Sequence, residues 1–285
     1  MTKLMIVAAI AIISAGCNSH SVSKVSSRVP LRIMSFNLRT SGATNDGVNV
    51  WPNRKELCLA TIRAFAPDFL GTQEVMADQH AALATLPDMQ MVGVPREDGI
   101  SKGEWSALLF RTSRFELLSS GTFWLSETPE VIGSKSWDTA LTRICTWAKL
   151  RERSTGREIL CANTHFDHRG VLARENSAKL LAARLPQLAG GLPIILIGDF
   201  NSTETTYAYQ VLTKSFADSY RDLHPQISPD EATFHAFTGR MAGSRIDFIL
   251  HTPQLRATDA QILRTPPTNG VFPSDHYPIT AILRW

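Results

Sequence analysis

The sequence predicts an α/β layered domain, because short apolar runs of strand length recur along it, helical periodicities separate some of them, and other runs follow one another across turns alone. In chain order, the runs rich in Ile, Val, Leu and Phe are Leu31 to Phe36, Phe69 to Gly71, Ala107 to Phe110, Ile144 to Leu150, Ile159 to Thr164, Ile194 to Ile197, Ile246 to Leu250 and Pro278 to Leu283. Each is long enough for a strand and too short for a typical helix. A helix is expected from Pro52 to Phe65. A second runs from Arg169 to Leu188, where Ala178, Leu181, Leu185 and Leu188 recur at helical spacing and define one apolar face. Between the runs ending at Leu150 and beginning at Ile159 stands the turn Ser154-Thr155-Gly156, which predicts an antiparallel pair.

Ahead of the first strand lies a segment of different character. Lys3 is followed by an uncharged run from Leu4 to Ile13 and then by Ser14-Ala15-Gly16-Cys17. Crossing a bilayer takes about 20 apolar residues, so this run suits a cleaved signal sequence better than a permanent span. The small residues before Cys17 resemble a bacterial lipobox, although Ser14 stands where that box usually has a bulky side chain. Residues 1–17 are therefore expected to be a signal peptide, with export and a lipid on Cys17 that anchors the protein to a membrane of the bacterial cell envelope, the alternative being a secreted or periplasmic protein without the anchor. Residues 18–29, rich in serine and without apolar periodicity, read as a tether. One folded domain is then expected over residues 30–285, with no internal repeat.

The whole chain carries 29 basic and 26 acidic residues, but with Lys3, Lys24 and Arg28 set aside the domain is formally neutral. A protein that grips long nucleic acid usually advertises a basic patch or run, and none is evident. Besides Cys17 there are three cysteines, Cys58, Cys145 and Cys161, without a CxxC pair, so a zinc site is not expected. Buried free thiols are the commoner outcome for such residues, with a Cys145–Cys161 disulfide as the alternative in an exported protein.

Polar residues with metal-binding or proton-transfer side chains gather where the apolar runs end, and strand ends that share a sheet edge converge in space. Asn37 ends the first run, Gln73-Glu74 the second, His165 a third and Asp199-Phe200-Asn201 a fourth. Asp199 and Asn201 share a face by alternation, as do His165 and Asn163, and Arg143 and Cys145. The segments MSFNLR (34–39), GTQEV (71–75), NTHFDH (163–168), GDFNST (198–203), SRIDFI (244–249) and SDHYPI (274–279), in this order, resemble the endonuclease/exonuclease/phosphatase superfamily across about residues 31–285. The stretch Phe123 to Trp147 is similar to a bacterial branch related to the deadenylase group. This resemblance implies a four-layer α-β-β-α sandwich of two packed, mostly antiparallel sheets with the site at one end between them.

Phosphoester hydrolysis needs a cation on a phosphoryl oxygen and a base for water. Mg²⁺, with Mn²⁺ as a substitute, favours a few carboxylates plus water and substrate oxygens. The expected ligands are Glu74, Asn37 and Asp275. His276 is expected to be the base, since imidazole titrates near neutral pH. The resemblance implies Asp247 as its partner, the alternative for Asp247 being a salt bridge to Arg245. It also implies that Asp199 and Asn201 orient water and stabilise the transition state. His165 is expected on the phosphate or as donor to the leaving oxygen, and Arg143 as a phosphate clamp. Asp167, His168 and Arg174 are given no chemistry. Trp105 and Trp137, in polar loops, are candidates for a substrate rim. The expected substrate is a phosphorylated small molecule, a lipid headgroup or nucleic acid, and no protein partner is evident. A surface binding lipoprotein that keeps the fold without catalysis is the competing reading.

Overall fold

Two six-stranded sheets stack face to face in the computed structural model, which describes residues 29–285 and the isolated Met1. The expected signal peptide, its Cys17 and all but the last residue of the expected tether lie outside the described residues. The first sheet contains β1 (Leu31–Asn37), β2 (Phe69–Gln73), β3 (Met89–Val92), β4 (Leu108–Arg111), β11 (Arg256–Ile262) and β12 (Ile279–Arg284), in the order β11-β12-β1-β2-β4-β3. The second contains β5 (Phe115–Trp124), β6 (Ile144–Glu152), β7 (Glu158–His165), β8 (Ile194–Asp199), β9 (Ala217–Asp218) and β10 (Asp247–His251), in the order β5-β6-β7-β8-β10-β9. Only β1–β2 and β7–β8 run parallel; every other pair is antiparallel.

Alternation explains the four layers. Leu31 and Ile33 of β1 face the other sheet, packing in one core with Ile159 and Cys161 of β7, Ile195 and Ile197 of β8 and Ile249 of β10. Met34 and Phe36 point the opposite way, onto Cys58, Leu59 and Ile62 of α1 (Trp51–Phe65) and Leu83 of α2 (Ala77–Leu83). On the far side, Leu160, Ala162, Leu196, Phe248 and Leu250 meet Ala178, Leu181 and Leu185 of α3 (Val171–Ala189) and Val211 and Leu212 of α4 (Tyr207–Leu212). Each fully buried Leu, Ile or Phe contributes about 1.5–3 kcal/mol, so both faces of the central strands are apolar for the same reason. A short helix, α5 (Ser219–Leu223), follows β9.

The sandwich is the architecture expected. The Ser154-Thr155-Gly156 turn does join an antiparallel pair, β6 and β7, and Gly156 takes the positive φ of 73° that the turn requires. Strands β3, β5, β9 and β11 and helices α2, α4 and α5 were not legible in the sequence. Burial in β5 and β11 is sparse, and their apolar residues do not alternate cleanly. Cys145 and Cys161 are free and buried on opposite faces of the second sheet, Cys145 among the α3 contacts and Cys161 between the sheets, so no disulfide joins them.

Candidate active site

The functional side chains extend the apolar rows of the inter-sheet core. Along β1 the inward row runs Leu31, Ile33, Ser35, Asn37; along β7, Ile159, Cys161, Asn163, His165; along β8, Ile195, Ile197, Asp199; along β10, Ile249 then Asp247. Register does the rest. Asp199 lies beside His165 in the parallel β7–β8 pair and beside Asp247 in the antiparallel β8–β10 pair, so three neighbouring strands present three polar groups at one level. On the facing sheet Asn37 is level with Gln73, and Glu74 follows immediately.

Gly71 permits this closeness. A Cβ there would lie 2.6 Å from Ile197 and 2.7 Å from the Asn163 side-chain oxygen. Asn163 in turn bolts the sheets together: its Nδ2 donates to the carbonyls of Thr72 (2.9 Å) and Ala107 (2.8 Å), and its Oδ1 accepts from Gln73 Nε2 (2.7 Å). Sharing a face with His165 therefore gives Asn163 a structural task.

Asn37 bridges the two sheets at the site, its Nδ2 lying 3.0 Å from both Glu74 Oε1 and Asp199 Oδ2. The backbone NH of Thr40 donates to Glu74 Oε2 (3.0 Å), and that of Asn201 to Asp199 Oδ1 (2.9 Å). Asn201 Nδ2 also lies 3.0 Å from His165 Nε2 and donates to the Phe166 carbonyl. His276 Nδ1 is 2.9 Å from Asp247 Oδ2, the expected pairing, while Nε2 faces Asp199 at 3.8 Å. Arg245 is not the partner of Asp247; it binds Asp218 and Glu204 instead. Arg39, Glu74 and Asn201 hold φ values of 53°, 59° and 45°, so left-handed backbone strain gathers at this site.

Charge is unevenly matched. Burial alone would pull the His276 imidazole down, but Asp247, Asp199 and Asp275 outweigh it and raise the ring to about 10. Burial, then Asp247, raises the Asp199 carboxyl, and burial with Glu74 nearby raises Asp275. The sequence expectation of an imidazole titrating near neutrality thus underestimates the carboxylates around it. His165 moves the other way: burial first, then Arg143 and Arg96, hold it well below its ordinary value. Among the described residues, Asp199, Asp247 and His276 offer ligand atoms within 4.8 Å of one another and form a group able to hold a metal ion.

These groups open onto a pocket of about 370 Å³. Seven of the expected residues, Glu74, Arg143, His165, Asp199, Asn201, Asp275 and His276, line it, while Asn37 and Asp247 are not part of that lining. Arg143 is buried, with Nη2 on His168 Nδ1 (3.2 Å) and Nε 3.5 Å from Asp167. Neither Trp105 nor Trp137 lines the pocket, and Trp105 packs against His80. Sequence reasoning missed Arg39, Arg96, Glu104 and Phe234 on the pocket wall. Arg39 lies two residues past Asn37, where alternation could have flagged it; Arg96 and Glu104 sit in a loop without periodicity. Arg54, fully buried in α1, was also missed. It donates to the carbonyls of Leu38, Arg39 (2.6 Å), Asn49 (2.8 Å) and Pro273 (3.2 Å), tying the loop after Asn37 to the one before Asp275-His276.

Fold and site define the class: a two-sheet α/β hydrolase whose acid–histidine cluster closes one end of the cleft between the sheets. The chain belongs to the Endonuclease/Exonuclease/phosphatase family, whose model matches residues 34–276, and members of this family are phosphoester hydrolases. A Bacteroides vulgatus protein of this family superposes with a TM-score of 0.83 at 35% identity, covering 90% of this chain and 99% of that one. A mannosyl-6-phosphatase from Bacteroides thetaiotaomicron superposes at 0.80 with 34% identity, covering 90% and 100%. Nocturnin of Drosophila melanogaster is 26% identical over 320 residues, and the chain spans about half of that protein's length, 48%, while 90% of the chain is matched.

Proposed function

We propose that this protein is a divalent-cation-dependent phosphatase acting on a small phosphorylated compound of the sugar-phosphate class. One observation carries the reading: an acid–histidine cluster and the buried guanidinium of Arg143 line one pocket of about 370 Å³, with Arg39, paired to Asp46, and Arg96, paired to Glu104, also on its wall. A dianionic monoester needs such a concentration of donors, whereas a polymer needs an extended basic groove. The neutral domain and the similarity to a mannosyl-6-phosphatase support the same choice.

The donor set fits a hard cation. Four carboxylates, Glu74, Asp199, Asp247 and Asp275, act on His276, and Asp247 Oδ1 is buried without a partner. Since His276 Nδ1 engages Asp247 through Oδ2, Glu74, Asn37 and Asp275 are the residues that would hold Mg²⁺ or Mn²⁺, with the free Oδ1 of Asp247 as a further oxygen. When bound, the ion supplies a Lewis acid for a phosphoryl oxygen. The chain's own residues do the remaining work. Arg143 and neutral His165 bind phosphate oxygens and fix their orientation. Asp247 fixes the His276 ring so that Nε2 faces the pocket, and the Asp199–His276 pair carries the proton released by the attacking water. Asn201 holds Asp199 and His165 in register.

The test is a panel of sugar phosphates, other monoesters and diesters, run with and without chelator. Hydrolysis of sugar phosphates that is abolished by chelation, restored by Mg²⁺ or Mn²⁺ and only weakly sensitive to salt is expected. Activity that survives chelation, or that is confined to diesters, would overturn the reading. Retained cation binding with no turnover on the whole panel would favour the non-catalytic binding protein. The N-terminal sequence supports export and attachment by a lipid on Cys17.

A further inference from the structure

Residues 95–105 form a hairpin-like loop that supplies one wall of the pocket. Its base is closed by the Arg96 NH donating to the Glu104 carbonyl (3.0 Å) and by the Glu97 NH donating to the Lys102 carbonyl (3.1 Å). Trp105 pairs with both Pro95 and Val75. Because Val75 directly follows Glu74, the wall is fixed to the same backbone that presents Glu74. A further bond, Trp124 Nε1 to the Arg96 carbonyl at 2.7 Å, holds the loop from behind. Arg96 and Glu104 therefore face the pocket from a braced support, and their side chains pair at 2.5 Å.

This wall has a composition that a phosphate site does not explain. Arg143 beside it has Nη1 buried without a hydrogen-bond partner, its Nε already facing Asp167 at 3.5 Å, and Arg96 lies close enough to repel its charge. Glu104 is an acceptor in the same wall, and a carboxylate repels phosphoryl oxygens. Only its Oε2 is engaged, by Arg96; Oε1 has no partner among the described residues. The ligand complementary to this arrangement must both donate and accept. A hydroxyl does so. Nor does the wall carry an aromatic platform: Phe234 of the pocket packs tilted against His276 at 5.0 Å, and no tryptophan lines the pocket. A nucleobase held by stacking has nothing to lie on along this wall.

We propose that Arg96 and Glu104 form the specificity subsite of the pocket, reading neighbouring hydroxyls on the alcohol half of a phosphorylated polyol, with Arg143 between that subsite and the phosphate. This rests on the phosphatase reading above. A hydroxyl donates to Glu104 Oε1 and accepts from the Arg96 guanidinium, so a leaving group lacking it leaves Glu104 Oε1 without the partner that the hydroxyl supplies. Sites built to hydrogen-bond a hydroxyl discriminate strongly against analogues without one.

The experiment compares kcat/KM for a hexose 6-phosphate with that for p-nitrophenyl phosphate, whose leaving group carries no second hydroxyl, in the wild-type protein, Glu104→Gln and Glu104→Ala. The selectivity ratio is expected to fall at least tenfold in both variants, mainly through KM for the sugar phosphate. Deoxy analogues of the hexose phosphate should be poor substrates of the wild type and lose that disadvantage in Glu104→Gln. A ratio that stays put in both variants, including the case where both substrates decline in parallel, overturns the subsite. A wild-type protein that hydrolyses neither monoester but cleaves diesters overturns the phosphatase reading instead, and the two failures are distinguished by the wild-type rates alone.

Discussion

Glu74 holds left-handed backbone at φ 59°, a conformation that costs a non-glycine residue about 1–2 kcal/mol. Two variants separate that cost from the carboxylate's role. Glu74→Gly is expected to be about 1 kcal/mol more stable than Glu74→Ala in chemical denaturation, while both lose turnover and bind Mn²⁺ at least tenfold more weakly by titration calorimetry. Asp247→Asn should behave differently: Mn²⁺ affinity is retained and kcat falls on the order of 10²-fold or more, because the ring of His276 loses the carboxylate that orients it. Loss of Mn²⁺ affinity in Asp247→Asn would move the ion to the Asp199–Asp247–His276 group. Glu74, Asp199 and Asn201 were legible as candidates because each follows a strand-like run in a recognisable motif, and His276 because its motif stands just before one. Protonation was not legible, since it depends on how many carboxylates the fold brings around one imidazole.

At the scale of the strand, the site depends on how closely β2 approaches β7 and β8. A methyl at position 71 would sit 2.6 Å from Ile197 and 2.7 Å from Asn163 Oδ1, inside van der Waals contact. Gly71→Ala is therefore expected to cost about 1–3 kcal/mol by overpacking, measurable by urea denaturation, and to lower kcat by displacing Asn163 and with it the Gln73 bond that keeps the sheet ends level. A stability equal to wild type would mean that the sheets slide freely, and the register argument for Asp199 would fail. The central strands were legible in sequence because both their faces are buried and their runs are continuously apolar. The outer strands β3, β5 and β11 were not, because half-exposed edges carry mixed side chains.

Across the whole molecule, Arg54 connects parts of the chain far apart in sequence. From α1 it reaches the carbonyls of Leu38, Arg39 and Asn49 on one side and of Pro273 on the other. Arg54→Met keeps much of the volume and removes every donor. It is expected to cost about 1–3 kcal/mol for each carbonyl that water cannot reach, seen as a lowered Tm, and to reduce kcat by loosening Asn37 relative to His276. Full activity in this variant would show that the two loops are positioned by packing alone. Nothing marked Arg54 beforehand: on a helix of ordinary amphipathic pattern, an arginine is expected at the surface, not under two loops.

What the sequence determined by itself is the set of central strands, the two principal helices, the layered class and the list of polar strand ends, because alternation and helical periodicity are local consequences of which side chains avoid water. Tertiary structure alone decided which of those ends touch. The Asp199 row with His165 and Asp247, the Asn37 bridge between sheets, the charge on His276 and the Arg96–Glu104 wall all arise from strand register and sheet packing. Those depend on contacts between residues as far apart in the chain as Leu31 and Leu283, partners across β1 and β12, and no local pattern encodes such a distance.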